Sequence, residues 1–219
     1  MNQFILLFFL LCAFSLCAVA GMNTKRIALP YLHSQSGLSQ FVQLVDKNSD
    51  HRPLIQLIDD YQQMDAMTFY RHYNQKLQLD DCFDESEYAE EIEDGEDYLA
   101  LMMIFFLQED NQLLQLDWKG EEEEYQTVHF INRILRDYFH QNDAVNAQSV
   151  EQAMQPDDDI LVLLKIVDRK LKARGYRLVN FDTGSDQYYI GVFPEPTARK
   201  LEQQKVNQLE ITIVSRFED

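Results

Sequence analysis

The sequence predicts an α+β protein: a helical N-terminal part, then a four-stranded, mainly antiparallel sheet with helices on one face. Two observations indicate this class. Before residue 110 the apolar residues recur at helical spacing, and beyond it short strand-like segments are interspersed with amphipathic helices. The resulting order β-α-α-β-β-α-β is that of a ferredoxin-like split βαβ unit with one extra helix. A hydrophobic content of 46% is sufficient for a packed core.

Residues 1–20 are typical of a secretory signal peptide. The uncharged stretch 4–16 has the length of a signal-peptide core and is too short to cross a bilayer. Ala18 and Ala20 place small side chains where a signal peptidase cuts. We therefore expect export, to a bacterial periplasm. Two alternatives are a retained anchor and, because the first three residues include no Lys or Arg, a cytoplasmic protein whose translation starts at Met22.

Residues 21–79 are predicted to form the helical N-terminal part. One helix is indicated by apolar residues at positions i, i+3, i+4 and i+7, namely Leu38, Phe41, Val42 and Val45. Pro53 suits the first turn of a second helix, because its missing N–H is not needed there. Asp65 suits the N-cap of a third, where its carboxylate can accept a backbone N–H.

Residues 80–97 form an acidic segment without a basic residue, and we interpret it as a solvated linker. The alternative is a calcium loop around Asp94-Gly95. An EF-hand alignment that puts Gly95 sixth puts Ile92 third, where an oxygen ligand is required, so that motif fails. Cys82 is the single cysteine beyond the leader, which excludes an intramolecular disulfide and a cysteine metal site.

Residues 98–219 are predicted to form the α+β domain. The apolar run 98–107 is too short for a membrane span and suits a buried helix. Further helices are expected over 121–139, over 160–174 and from Pro196. Four segments have strand character: 114–118, 177–181, 187–193 and 209–214.

The charge balance limits the possible partners. The chain has 37 acidic and 19 basic residues and a net charge of −18. Such a surface repels nucleic-acid phosphates, so we expect no nucleic-acid binding, and it attracts cations or a basic protein. The alternative explanation of the negative net charge is that it keeps the protein soluble. Because the sequence contains no phosphate-binding glycine loop, no nucleophile elbow and no clustered metal ligands, we predict neither cofactor nor metal.

Four residues at predicted strand ends form the candidate site. Asp117 and Trp118 lie at the end of one predicted strand, and Asp182 and Asp186 flank the turn after another. If those strands are neighbours, Asp117 and Asp182 could act together as catalytic carboxylates beside the indole. The alternative is that both simply cap turns. The Asp-Thr-Gly triplet at 182–184 resembles an aspartic-protease loop, but that chemistry needs two such triplets and the chain has one.

Three motifs carry a resemblance to a known family: Leu-Asp-Trp-Lys-Gly-Glu at 116–121, Gly-Tyr-Arg-Leu at 175–178 and Asp-Thr-Gly-Ser-Asp-Gln-Tyr at 182–188. Through these three motifs, residues 97–215 resemble an uncharacterised bacterial domain family. The resemblance implies a bacterial origin and no particular activity.

Charge and motifs together favour a non-catalytic protein that binds another protein, such as an immunity or inhibitor protein acting on a basic partner. The alternative is a small hydrolase that uses Asp117 and Asp182.

Overall fold

The computed structural model describes residues 35–79, 98–121, 123–142, 145–155, 157–206 and 209–217. The predicted leader and the acidic segment 80–97 lie outside these ranges. The described helices are α1 Gln35–Val45, α2 Arg52–Gln63, α3 Ala66–Leu77, α4 Leu99–Glu109, α5 Gln126–Phe139, α6 Ala147–Glu151, α7 Ile160–Lys172 and α8 Glu195–Leu201. The strands are β1 Leu114–Asp117, β2 Tyr176–Asp182, β3 Gln187–Pro194 and β4 Glu210–Ile213, and a 3-10 turn follows at Val214–Arg216.

The four strands form one antiparallel sheet in the order β1-β3-β2-β4. The long hairpin β2–β3 is its centre, and the shorter strands β1 and β4 are its edges. The α+β class, the helical N-terminal part and the four-stranded antiparallel sheet are thereby confirmed. The elements follow one another in the expected order, with the short helix α6 in addition.

Helices cover both faces of the sheet, and in this detail the arrangement differs from the expected single face. One core joins α1–α4 and α8 to sheet residues such as Val179 and Phe181. The other joins α5 and α7 to Leu178 and Val192. The reason is visible in β2, which is buried without interruption from Arg177 to Phe181. Such a strand does not alternate between apolar and polar residues as a strand with one wet face does.

The N-terminal helices share their core with the sheet. Phe41, Leu57 and Tyr73 from α1, α2 and α3 are almost completely buried in the same cluster as Phe181 and Phe193. The rings of Phe181 and Phe193 meet edge to face at 6.0 Å between centroids. The burial of each such side chain stabilises the fold by roughly 1.5–3 kcal/mol.

Several helix ends lie where the sequence indicates. Pro53 lies in the first turn of α2, and Asp65 and Asp159 accept the N–H groups of Thr68 and Val162 at 3.0 Å as N-caps of α3 and α7. The predicted start of α5 at 121 was wrong, because this helix begins at 126.

Glu121, Glu123 and Glu124 lie before the first residue of α5, although helix dipoles favour acids inside the first turn. Glu121 stabilises the helix start from a distance, since its Oε1 accepts the N–H of Thr127 at 2.6 Å. Tyr125 precedes the helix with φ +62°, a left-handed backbone that interrupts the helical path. In a helix that began at 121, Glu121 and Glu124 would lie three residues apart on one face, where like charges repel.

Helix α4 is the buried core helix that the apolar run predicts. Its eleven residues include six that are buried, and they pack in the first core. Among the described helices, none has the length and apolarity needed to cross a membrane.

Candidate functional site

One end of the sheet collects the polar residues that the sequence singles out. Strands β1 and β2 end there and β3 and β4 begin there, so Asp117 pairs with Gln187 and Asp182 pairs with Glu210. Trp118 follows directly after β1. The acids Asp117, Asp182 and Glu210 and the indole of Trp118 therefore lie at this end of the sheet. This is the general location that the sequence predicts for Asp117, Trp118 and Asp182.

Asp117 and Asp182 do not lie on neighbouring strands, because β3 runs between β1 and β2. Two strand spacings separate their backbones by ~10 Å. Each carboxylate also has a local partner: Asp117 Oδ1 accepts the N–H of Lys119, and Asp182 Oδ1 accepts the N–H of Gly184, both at 2.7 Å. This geometry is that of turn-capping residues, and it supports a pair of cooperating catalytic carboxylates poorly.

Three of the four candidate residues line one cavity, which we call the Trp118 pocket. It has a volume of about 260 Å³ and is lined by Trp118, Asn180, Asp182, Ser185, Asp186, Gln187 and Tyr188. The side chain of Trp118 is an exposed large hydrophobic group, with 55% of its surface open to solvent. Among the residues that the structure describes, no basic residue lines this pocket, and Asp117 is not part of the lining.

Two residues that line the Trp118 pocket, Asn180 and Gln187, carry buried side-chain oxygens that have no hydrogen-bond donor among the described residues. Asn180 is only 2% exposed, and its Oδ1 has no hydrogen-bond partner. Gln187 Oε1 is likewise buried without a partner. An unsatisfied buried acceptor costs roughly 1–3 kcal/mol, so each is a position where an incoming donor would be bound favourably.

A second cavity lies at the start of α5, and we call it the glutamate cleft. It has a volume of about 360 Å³ and combines a glutamate rim with apolar side chains from α5, α6, α7 and the segment after α6. Its lining residues are Glu121, Glu123, Glu124, Tyr125, Val128, Val150, Glu151, Met154 and Leu163. The apolar members Val128, Val150 and Leu163 continue into the core beneath α5 and α7.

Tyr125 shows the electrostatic character of the glutamate cleft. Its hydroxyl donates to Glu151 Oε2 at 3.1 Å. Hydrogen bonds to Glu151 and then Glu124 are the main causes that raise the pKa of Tyr125 to about 12, since ionisation would place a third negative charge beside them. The described residues that line the cleft include no Lys or Arg to neutralise these glutamates.

The two cavities are close together along the chain. Trp118 and Glu121 are three residues apart, so their Cα atoms are separated by at most ~11 Å. Gly120 turns the backbone between them with φ +136° and bridges back to Asp117. A single partner could therefore contact both cavities.

Sequence reasoning missed the glutamate cleft and the unpaired acceptors. The sequence contains four successive glutamates at 121–124. Because they were interpreted as the first turn of α5, they were not considered as part of a binding site. Glu151 comes from the short helix α6, and no local pattern links it to that run. Asn180 and Gln187 belong to strands, where one buried polar residue among apolar ones has no distinctive spacing.

Within the described ranges, no group of three or more His, Cys, Asp or Glu side chains is arranged to hold a metal ion. The acidic segment 80–97, for which a calcium loop is the alternative prediction from the sequence, lies outside those ranges.

The chain therefore forms an α+β domain whose sheet end and α5 start each border a cavity lined by acidic residues. Residues 38–217 match the family described as domain of unknown function DUF6630, and the chain belongs to that family. This confirms the resemblance to an uncharacterised domain family, and the match extends N-terminally beyond residue 97 to include α2, α3 and α1 from residue 38. No curated protein and no solved structure matches the chain.

Proposed function

We propose that this protein is a non-catalytic binding protein that recognises a basic segment of another protein through the glutamate cleft. The observation that carries the proposal is the composition of that cleft, in which four glutamates surround an apolar floor. Lys and Arg side chains have the complementary structure, because an apolar stem bears a charged head group. The stems would contact Val128 and Met154, and the head groups would reach the rim.

The overall charge supports the same class of partner. A net charge of −18 accelerates encounter with a basic protein and disfavours acidic competitors. An immunity or inhibitor protein that neutralises a basic bacterial toxin or enzyme is the concrete form of this proposal. The turn-capping geometry of Asp117 and Asp182 favours binding over the hydrolase alternative.

Export remains a prediction and would place the encounter in the periplasm. It is tested by expressing the full chain in a bacterium and sequencing the mature N-terminus. A chain that begins at Gly21 supports export, and a chain that begins at Met22 contradicts it.

The binding proposal is tested with a defined probe. A labelled peptide in which Lys and Arg alternate with Leu is titrated into the protein, beside a peptide with Gln at each basic position. We expect the double variant E124Q/E151Q to bind the basic peptide about tenfold more weakly, since each lost charge contact is worth ~0.5–1 kcal/mol or more. The Gln peptide should not bind.

The matched control is the double variant E109Q/E210Q, which removes the same charge from exposed positions outside the cleft. It should bind the basic peptide within about twofold of the unmodified protein. Equal weakening by both double variants would show that diffuse charge, and not the cleft, attracts the peptide. Proteins from the native bacterium that co-purify with the control but not with E124Q/E151Q are then the candidate partners.

A further inference from the structure

We infer that the Trp118 pocket is a binding site for a guanidinium group. The pocket is distinct from the glutamate cleft, and the inference does not depend on the function proposed for that cleft. Its basis is an imbalance of hydrogen-bonding groups: the pocket combines unpaired buried acceptors with carboxylates and an exposed indole, and no basic side chain of the described chain lines it.

The acceptors define what the ligand must offer. Asn180 Oδ1 and Gln187 Oε1 are both buried and without donors. Because the missing groups are donors, a ligand rich in N–H groups satisfies them and an anion does not. Guanidinium carries five N–H donors in one plane, more than any other protein side chain offers.

The charges of the pocket select a cation. Asp182 and Asp186 line it, and a guanidinium binds a carboxylate with charge-assisted hydrogen bonds that are stronger than neutral ones. Asp182 Oδ1 accepts the N–H of Gly184, which holds that carboxylate in place at the turn. The pocket therefore offers charge and fixed acceptors together.

Trp118 supplies a flat surface for the same ligand. More than half of its side-chain surface is exposed, and guanidinium stacks on indole faces better than a compact ammonium does. Lys119 Nζ lies 5.6 Å from the centroid of the Trp118 ring, which shows that a cation is accommodated beside this indole. Because that lysine is not part of the lining, the interior of the pocket has no cation of its own.

The volume limits the size of the ligand. At about 260 Å³ the pocket is smaller than the ~300–1,000 Å³ cavities that hold drug-sized molecules. It suits the head group of one side chain or of a small metabolite. Both free arginine and an arginine of a partner protein present the same guanidinium chemistry.

The test uses the fluorescence of Trp118, which is the single tryptophan of the chain and therefore reports directly on this pocket. The protein is titrated with methylguanidinium, with free arginine and with a short peptide containing one arginine, all at constant ionic strength. We expect a saturable change in emission for guanidinium ligands and none for citrulline, the neutral isostere. Equal responses to arginine and citrulline would overturn the inference.

Variants separate the pocket from the general charge of the protein. D186N should weaken guanidinium binding about tenfold, because it removes one charged acceptor from the lining. E210Q removes a charge at the same sheet end without altering the lining and should change binding less than twofold. Thermal melting of both variants checks that they remain folded. Unchanged binding by D186N would contradict the inference.

Two further comparisons identify the molecule that supplies the guanidinium group and test whether the pocket binds a metal ion instead. Tight binding of free arginine indicates a small-molecule ligand, whereas binding restricted to the arginine peptide indicates a partner protein, and either result supports the guanidinium site. Calcium is titrated in parallel, since the carboxylate and amide oxygens of the lining also suit that ion. A saturable response to calcium with none to methylguanidinium would overturn the inference in favour of a cation site.

Discussion

Arg177 and Asp168 form a buried, bidentate ion pair that fixes β2 against α7. Arg177 Nη2 lies 2.6 Å from Asp168 Oδ2, and Nε lies 3.1 Å from Oδ1. Asp168 also accepts the N–H of Leu178 at 2.7 Å, and the guanidinium reaches Ser215 in the 3-10 turn. Because both side chains are almost fully buried, their charges depend on each other for compensation.

We expect R177M to destabilise the protein by about 3–5 kcal/mol, because it leaves the Asp168 carboxylate buried without its cation. The measurement is urea unfolding followed by circular dichroism. The matched control is R199M, which removes an exposed arginine paired with Glu195 and should cost under ~1 kcal/mol. If D168L/R177M is as unstable as R177M, lost packing and not the unpaired charge explains the effect.

Lys47 carries the clearest pH dependence in the described chain. Its Nζ donates to the carbonyl oxygen of Gln112 at 3.1 Å and lies 4.0 Å from the Phe193 ring centroid. Burial lowers the pKa of Lys47 from 10.5 to about 7, and this outweighs the opposing effect of Asp46. Arg133 lowers it further.

The folded state therefore releases the Lys47 proton at a lower pH than the unfolded state does. Between about pH 7 and pH 10.5 the unfolded state binds more protons, so this residue makes stability rise with pH. We expect the free energy of unfolding of the unmodified protein, minus that of K47M, to increase by up to ~1.4 kcal/mol per pH unit in this range. A flat K47M difference would contradict the lowered pKa.

The sequence was sufficient to predict most of the fold. Local signals located α1–α4 and α7, such as helical spacing for α1, the N-cap Asp65 for α3 and an uninterrupted apolar run for α4. The burial of both sheet faces was missed, since it depends on where the N-terminal helices pack. The start of α5 was missed because Tyr125 adopts a left-handed backbone that its residue type does not indicate.

The candidate site was predictable only in part. Turn chemistry and strand ends brought Trp118, Asp182 and Asp186 to attention, and the structure places all three around one pocket. Asp117 lies apart from Asp182 because β3 runs between their strands. The order of strands in a sheet cannot be read from the local residue pattern of any one strand. The same holds for Asn180, whose missing partner is a property of the packed sheet.

Gly191 is expected to be intolerant of a side chain. A Cβ at this position would lie 2.7 Å from Phe193 Cε2 and 2.8 Å from Leu113 Cδ2, both in the buried core. We expect G191A to cost about 1–3 kcal/mol through overpacking, measured by urea unfolding. Combining it with L113A should be less destabilising than the sum of the two single effects, because the second substitution removes one clash. Strict additivity would argue against the close contact.

The hairpin turn 182–186 distinguishes a structural from a catalytic Asp182. Asp182 Oδ1 accepts the N–H of Gly184 at 2.7 Å, and Gly184 has φ +79°. D182N retains an acceptor oxygen at the same place, so we expect it to cost under ~1 kcal/mol. G184V forces a β-branched residue into the left-handed region and should cost more, by ~1–2 kcal/mol. Thermal unfolding of both variants gives the stability comparison.

The phenotype that the gene confers completes this test. A non-catalytic Asp182 predicts that D182N keeps the melting temperature and changes the phenotype no more than D186N does, because each variant removes one carboxylate from the lining of the Trp118 pocket. G184V should lower the melting temperature and the phenotype together. A catalytic Asp182 predicts a different result, because replacement of a reacting carboxylate by an amide abolishes its acid–base chemistry without disturbing the turn. D182N that melts like the unmodified protein and loses a phenotype that D186N retains would therefore contradict the non-catalytic assignment. T183A, a substitution in the same turn that leaves the Asp182–Gly184 hydrogen bond and the lining of the Trp118 pocket in place, is the matched control.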